Sequence, residues 1–435
     1  MWLFLFLLLI PTQLGKHFWL DWSYVLGIRI DYLSPTLYLL DLVWIILFFL
    51  NFKTFFKTPQ SRLKSGQLPL TREHLFKFKY LIILGFVGIN ILMAVNPMVA
   101  VYKWLRLGQF LITFFYFKKN KVLIKEKLVK VIPCWIILES LLAVAQMAKN
   151  GSLNGIFYWL GERSFTFNTI GVAQISMLGR GLIRAYGTFS HPNSLAGFLL
   201  VSLLLWGWLK PSPNPSLDRA GLLFKNAFWW GVFWLGLLGI FVSGSRTVWV
   251  LTLVLILGFV VKNIKNKIKA VTLILLFLGI IFFGFKLVNM EYQVSDFLGG
   301  WDADGIGKRT QLISAGVKMF KESPLFGVGL GNFLVRLPEF QKNNGIFWLQ
   351  PVHNIILLIM SEAGLFGLII LIFNFQFLIS NKKKKIDLIF KIIFGVILVS
   401  GMVDHYWLTL PQNVWLVVLV LSLSSSSSYK VYQVK

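Results

Sequence analysis

The sequence predicts an all-α, polytopic integral membrane protein of about 12 transmembrane helices, with a large outward-facing loop between spans nine and ten. Three observations carry that expectation. Of the 435 residues, 57% are hydrophobic and 14% charged, against about 45–50% and about 25% in a typical soluble chain. Continuously apolar runs recur from end to end, most of them long enough to cross about 30 Å of hydrocarbon as a helix. A membrane β-barrel would instead alternate over segments of about ten residues. Lysine and arginine gather in short segments between the runs, where they set orientation.

The elements follow in chain order. Met1 to Ile10 is apolar, and the first basic residue is Lys16. A cleavable signal peptide carries a positive leading region, so an uncleaved span over 2–13 is expected, closing near Pro11. Spans are then expected over 34–51, 80–96, 99–117, 131–148, 191–209, 227–244, 247–261, 270–288, 353–380, 392–408 and 413–427. With a cytoplasmic N-terminus, inward segments hold 27 lysines and arginines, outward segments 13, and spans 3. Every short basic loop then faces inward, as the positive-inside rule requires. The net charge of +26 is thus topology information, and nucleic acid is not an expected partner. Cys134 is the lone cysteine and forms no intramolecular disulfide. The chain reads as a single membrane domain, 1–435, containing an extracytoplasmic loop over 289–352 and ending in a flexible cytoplasmic tail over 424–435.

The outward segments 149–190 and 289–352 exceed the usual loop length and are rich in glycine and aromatic residues, so chemistry is sought there. Arg180 and Arg184 are four apart and share a face on a helix. Paired guanidinium groups suit a phosphate or diphosphate; headgroup anchoring is the structural alternative. In Ser190-His191-Pro192, serine or histidine caps a helix and proline fills its first turn. Ser243-Gly244-Ser245-Arg246 forms a tight outer turn, with Arg246 at the level of lipid phosphate. Gln311 to Glu322 reads as a short amphipathic helix ending at Ser323-Pro324. Gly327, Gly329 and Gly331 alternate, but without a preceding strand or a following Lys-Ser/Thr they make a tight turn, not a nucleotide loop. His353 opens a span at the outer border, where an imidazole can act as general base or bond to backbone. Asp404-His405-Tyr406-Trp407 puts ionisable groups at membrane depth, which makes them functional candidates. The histidines lack zinc spacing and Asp302-Ala303-Asp304 stands alone, so no metal is expected.

These stretches, in this order, resemble the O-antigen ligase and polymerase family of bacterial envelope glycan enzymes. The resemblance rests on Arg184 through Asn193, Gly244-Ser245-Arg246, Arg309 followed by Pro324-Leu325-Phe326-Gly327-Val328-Gly329, and His353-Asn354 through Gly364. Asp404 to Trp407 with Pro411-Gln412 adds to it. It covers about residues 180–415; the first five spans match in hydropathy alone. It implies transfer of a glycan from an undecaprenyl-diphosphate donor to an acceptor hydroxyl on a glycan, lipid or protein, at the outer face of the inner (cytoplasmic) membrane. It also implies inversion, no metal and no cofactor. His353 would be the base, and Arg184, Arg246 and Arg309 would bind the donor diphosphate; Arg180 is a further substrate-binding candidate from its spacing to Arg184 alone. A lipid-linked glycan transporter or flippase is the alternative, although no paired halves are visible.

Overall fold

A computed structural model describes residues 1–56, 70–177, 180–209, 219–263, 303–341, 349–379 and 387–424. The helices in order are α1 (Trp2–Leu8), α2 (Leu39–Leu50), α3 (Phe52–Phe56), α4 (Leu70–Leu92), α5 (Pro97–Lys119), α6 (Lys121–Lys149), α7 (Ile156–Trp159) and α8 (Pro192–Trp208). They continue with α9 (Arg219–Val242), α10 (Arg246–Asn263), α11 (Ala303–Glu322), α12 (Phe333–Phe340), α13 (Ile355–Ile379), α14 (Leu388–Gly401), α15 (Tyr406–Thr409) and α16 (Pro411–Ser424). Six short strands form three antiparallel pairs: β1 (Gly15–His17) with β4 (Thr36–Tyr38), β2 (Tyr24–Val25) with β3 (Ile28–Arg29), and β5 (Gln174–Met177) with β6 (Arg180–Ile183).

The helical expectation holds, and the spans are more uneven than hydropathy implies. Among the described residues, α6 and the Ile355–Phe373 part of α13 are long and apolar enough to cross a bilayer. Six shorter apolar helices, among them α2, α8, α14 and α16, accompany them. The first expected span contains a helix of only seven residues, a rise of about 10 Å. The chain turns at Leu9–Pro11, where proline cannot continue the ladder. The ninth expected span, 270–288, lies outside the described residues, as do most of the tail and parts of the 289–352 loop.

α8 is the hub. Thirteen of its 17 residues are buried, as expected of a helix apolar all round. α6, α9, α14 and α16 pack around it. Small residues allow close approach: a side chain at position 197 would meet the Tyr406 hydroxyl, and one at 239 would meet Ser140. Contacts at the two ends of the bundle fix helix direction. At one pole, Lys125 of α6 lies over the ring of Trp208 of α8, and Trp208 Nε1 donates to Asp387 beside α14 at 3.2 Å. Lys121 Nζ reaches the carbonyl of Leu423 there. At the other pole stand the start of α8, the end of α14 and the start of α16. Of the two, the first is the pole to which the charge distribution assigns the cytoplasm.

A second apolar layer covers the opposite pole. Val25, Ile30 and Leu33 of the N-terminal hairpins pack with Leu312, Ala315 and Met319 of α11 and with Phe333 and Leu337 of α12. α13 is broken at Gly364, whose φ of 63° departs from the helix. The turn of alternating glycines fills the break, and Gly327, Gly329 and Gly331 all have positive φ. The amides of Val328 and Gly329 donate to the carbonyls of Ser361 and Glu362, and those of Leu365 and Phe366 donate to Pro324 and Leu325. The backbone groups freed by the break are thus satisfied by protein.

Candidate active site

The site starts from α6. Two of its buried polar side chains hold an irregular segment in place of a backbone ladder. Gln146 Oε1 accepts from the amides of Tyr186 and Gly187 at 2.9 and 2.8 Å. Glu139 accepts from the amide and hydroxyl of Thr188 at 2.9 and 2.7 Å. A buried amide without such a partner would cost about 1–3 kcal/mol. This cradle sets where Arg184 leaves β6 and where α8 begins. His191 caps α8, its Nδ1 accepting from the amide of Asn193 at 3.2 Å, and Pro192 occupies the first turn. The capping role read from the sequence is the one observed.

Arg184 lies against the turn between α9 and α10. Its Nε donates to the Ser243 carbonyl at 2.9 Å, and its side chain packs on Gly244, which has φ 63°. A terminal nitrogen donates to Asn193 Oδ1. Asn193 Nδ2 in turn donates to Asp404 Oδ2 at 2.8 Å. The other carboxylate oxygen, Oδ1, accepts from the His405 amide at 2.7 Å and lies 3.4 Å from His353 Nδ1. One continuous path therefore joins arginine to histidine: Arg184, Asn193, Asp404, His353. The His353 and His405 rings are 5.1 Å apart, and Tyr32 of the N-terminal layer meets His405 edge-on at 5.6 Å.

Arg246 starts α10 beside the same turn, half-buried. Arg309, on α11, joins Asn193, Ser245, Thr247 and Asp404 in lining a cleft of about 30 Å³. That volume admits water. Burial pushes the Arg184 guanidinium down to about 10, with Arg246 and Arg309 adding to the effect; it stays charged at neutral pH. A roomier cavity of about 290 Å³ lies between α2, α5 and the β1–β4 pair. Its charged groups are already matched, since Arg106 grips Asp41 through both terminal nitrogens.

Arg180 and Arg184 do not share a helix: the segment is the β5–β6 hairpin, in which Arg180 pairs with Met177. The side chain of Arg180 lies outside the described residues. His353, Arg184 and Arg309 are brought to one cluster, with Arg246 on the adjoining turn. Asn193 and Asp404, which connect them, and His405 were not among the binding or catalytic residues expected from sequence. The signal for Asp404 was its charge at membrane depth; Asn193 was marked only as the end of the Arg184–Asn193 stretch, with nothing to pair it with Asp404 across 211 positions. His353, Asp404 and His405 also each bring one ligand atom within 4.8 Å of the others, a grouping invisible to sequence spacing.

The chain is thus a helical, apolar one in which arginines converge on a histidine–carboxylate pair, with the hydrophobic helices of a membrane protein. The family model described as O-antigen ligase matches residues 231–372, and the family resemblance read from the sequence is shown by that match. It spans about a third of the chain and includes Arg246, Arg309 and His353. Glycan transfer in surface polysaccharide biosynthesis is the activity that goes with this family. Comparison with curated proteins finds no match.

Proposed function

We propose that this protein transfers a glycan from an undecaprenyl-diphosphate donor to an acceptor hydroxyl, as a multi-pass enzyme at the outer face of the cytoplasmic membrane. The observation that carries the reading is the path from Arg184 through Asn193 and Asp404 to His353. It ties a group suited to a diphosphate to a group suited to a proton.

The chemistry follows from the tautomer. With Nδ1–H of His353 directed at the Asp404 carboxylate, Nε2 keeps its lone pair. The acceptor hydroxyl gives its proton to Nε2 as its oxygen bonds to the anomeric carbon. The bond from that carbon to the diphosphate breaks, and the electron pair leaves on the diphosphate oxygen. Arg184, Arg246 and Arg309 stabilise that developing charge in a low-dielectric setting, where fixed cations are most effective; Arg180 stays a candidate from sequence alone. A single displacement inverts the anomeric centre, and no step needs a metal or other cofactor. Asp404 is a positioning residue: it orients the imidazole and balances the imidazolium that forms.

The transporter reading is less well supported. Proton-coupled carriers rely on ionisable groups at membrane depth, and three of the acidic ones here are structurally employed. Asp41 pairs with Arg106, Glu139 holds Thr188, and Glu362 accepts from the Phe333 amide at the start of α12. The test is transfer by purified protein in vesicles holding an undecaprenyl-diphosphate glycan, with lipid movement across the bilayer read in parallel. Joined product is expected; lipid movement without product would favour the transporter.

A further inference from the structure

His353 and Asp404 are 51 positions apart, and His405 follows directly. One ligand atom from each lies within 4.8 Å of the other two. Two imidazoles and a carboxylate form a donor set that suits a divalent transition-metal ion. The outer contacts that orient metal ligands are also present. Asp404 Oδ2 is held by Asn193 Nδ2 at 2.8 Å. Thr409 Oγ1 lies 2.7 Å from His405 Nδ1 and 3.1 Å from the His405 carbonyl. With its hydrogen on that carbonyl, the threonine oxygen accepts from Nδ1 and the lone pair of His405 is on Nε2, the tautomer that ligation uses.

We propose that His353, Asp404 and His405 form an inhibitory site for a divalent ion of the zinc class. The inhibitory part rests on the reading of His353 as base. A metal ion that takes the imidazole lone pair leaves nothing to accept the acceptor's proton. The step is coordination alone: lone pairs are donated to the ion, no bond is cleaved and no electron is transferred. The His353 side chain is 18% exposed, which gives the ion a way in. Three protein ligands leave a coordination position for water, as in exchangeable sites and unlike closed structural ones. His191 does not supply a fourth ligand through Nδ1, which accepts from the Asn193 amide. Arg184 and Arg309 face the cluster and weaken cation binding, but Arg184 reaches Asp404 only through Asn193, and the carboxylate compensates.

Full-length protein in detergent, stripped with chelator, is titrated with Co²⁺ and read by its visible d–d absorption. The expected result is one saturable site per chain, displaced by Zn²⁺ and lost in His405→Ala and Asp404→Asn. Thr409→Val keeps all three ligands and removes an outer contact, so it separates ligation from misfolding; its affinity should fall about 10–100-fold. Zn²⁺ should suppress transfer by the wild type, with recovery on adding chelator. Absence of a cobalt band in the wild type, or a band equally strong in all the variants, overturns the site. If cobalt binds as described and His353→Ala still transfers glycan, the base assignment fails and the site stands. If His353→Ala is inactive and no cobalt binds, the base stands and the site fails.

Discussion

Asp404 meets three donors: Asn193 and the His405 amide, at 2.8 and 2.7 Å, and the His353 ring at 3.4 Å. An amide in its place cannot accept from all of them without turning its own N–H₂ on a donor. Asp404→Asn is therefore expected to lower kcat by about 10²–10⁴-fold, the range typical of general-base loss, with little change in donor KM. Arg184→Lys removes the fork that bonds Ser243 and Asn193 at once. Lysine does not reproduce such planar two-point contact, so donor KM should rise while the acceptor KM stays near wild type. Steady-state kinetics with each substrate varied in turn checks both. The sequence made His353 and the arginines legible as residue types, because charge and imidazole at an outer membrane border are chemically conspicuous. It left their connection illegible, because Asn193 and Asp404 meet only through the packing of α8 against α14.

At the scale of elements, two local decisions shape the site. The Arg180–Arg184 stretch is too short to declare a period, and four-residue spacing fits a helix as readily as a strand. It becomes a hairpin because α6 offers Gln146 and Glu139 to the segment that follows. Glu139→Ala strands the amide of Thr188, at about 1–3 kcal/mol for the unpaired group, while the hydroxyl keeps the Pro11 carbonyl at 2.8 Å. A lowered thermal midpoint, with loss of transfer even in the fraction that remains folded, is the expected outcome. The break in α13 is the second decision. Hydropathy reads 353–380 as one uninterrupted span, since it registers apolar side chains and not backbone angle. Gly364→Ala adds a side chain at φ 63°, where its Cβ would overlap the Leu325 backbone. A cost of about 1–3 kcal/mol is predicted, again visible as a lower thermal midpoint. The alternating glycines, by contrast, were legible as a turn, because the surrounding sequence excluded a nucleotide loop.

For the whole molecule, composition was sufficient for the helical class, and charge supplies an expected polarity. The pole where Lys125, Trp208 and Asp387 meet is the one that the basic segments assign to the cytoplasm. Span count was less legible, since short helices such as α1 and α16 are as apolar as true spans. The polarity can be tested directly. With Cys134, the lone cysteine, replaced by alanine, single cysteines at Asn120 and at the fully exposed Ile170 should differ in reactivity in intact cells. An impermeant maleimide should label only the Ile170 position; labelling of Asn120 instead would invert the topology and move the site to the wrong face. Transfer should also proceed undiminished in excess chelator, since the proposed chemistry uses only protein groups.

The most direct test of the account is glycan transfer in reconstituted vesicles by wild type and His353→Ala side by side, with the insertion and fold of both verified. The account predicts joined product from the wild type and a loss of about 10²–10⁴-fold in the variant, with donor binding retained through the arginines. Equal product from both proteins would contradict it and remove His353 from the chemistry.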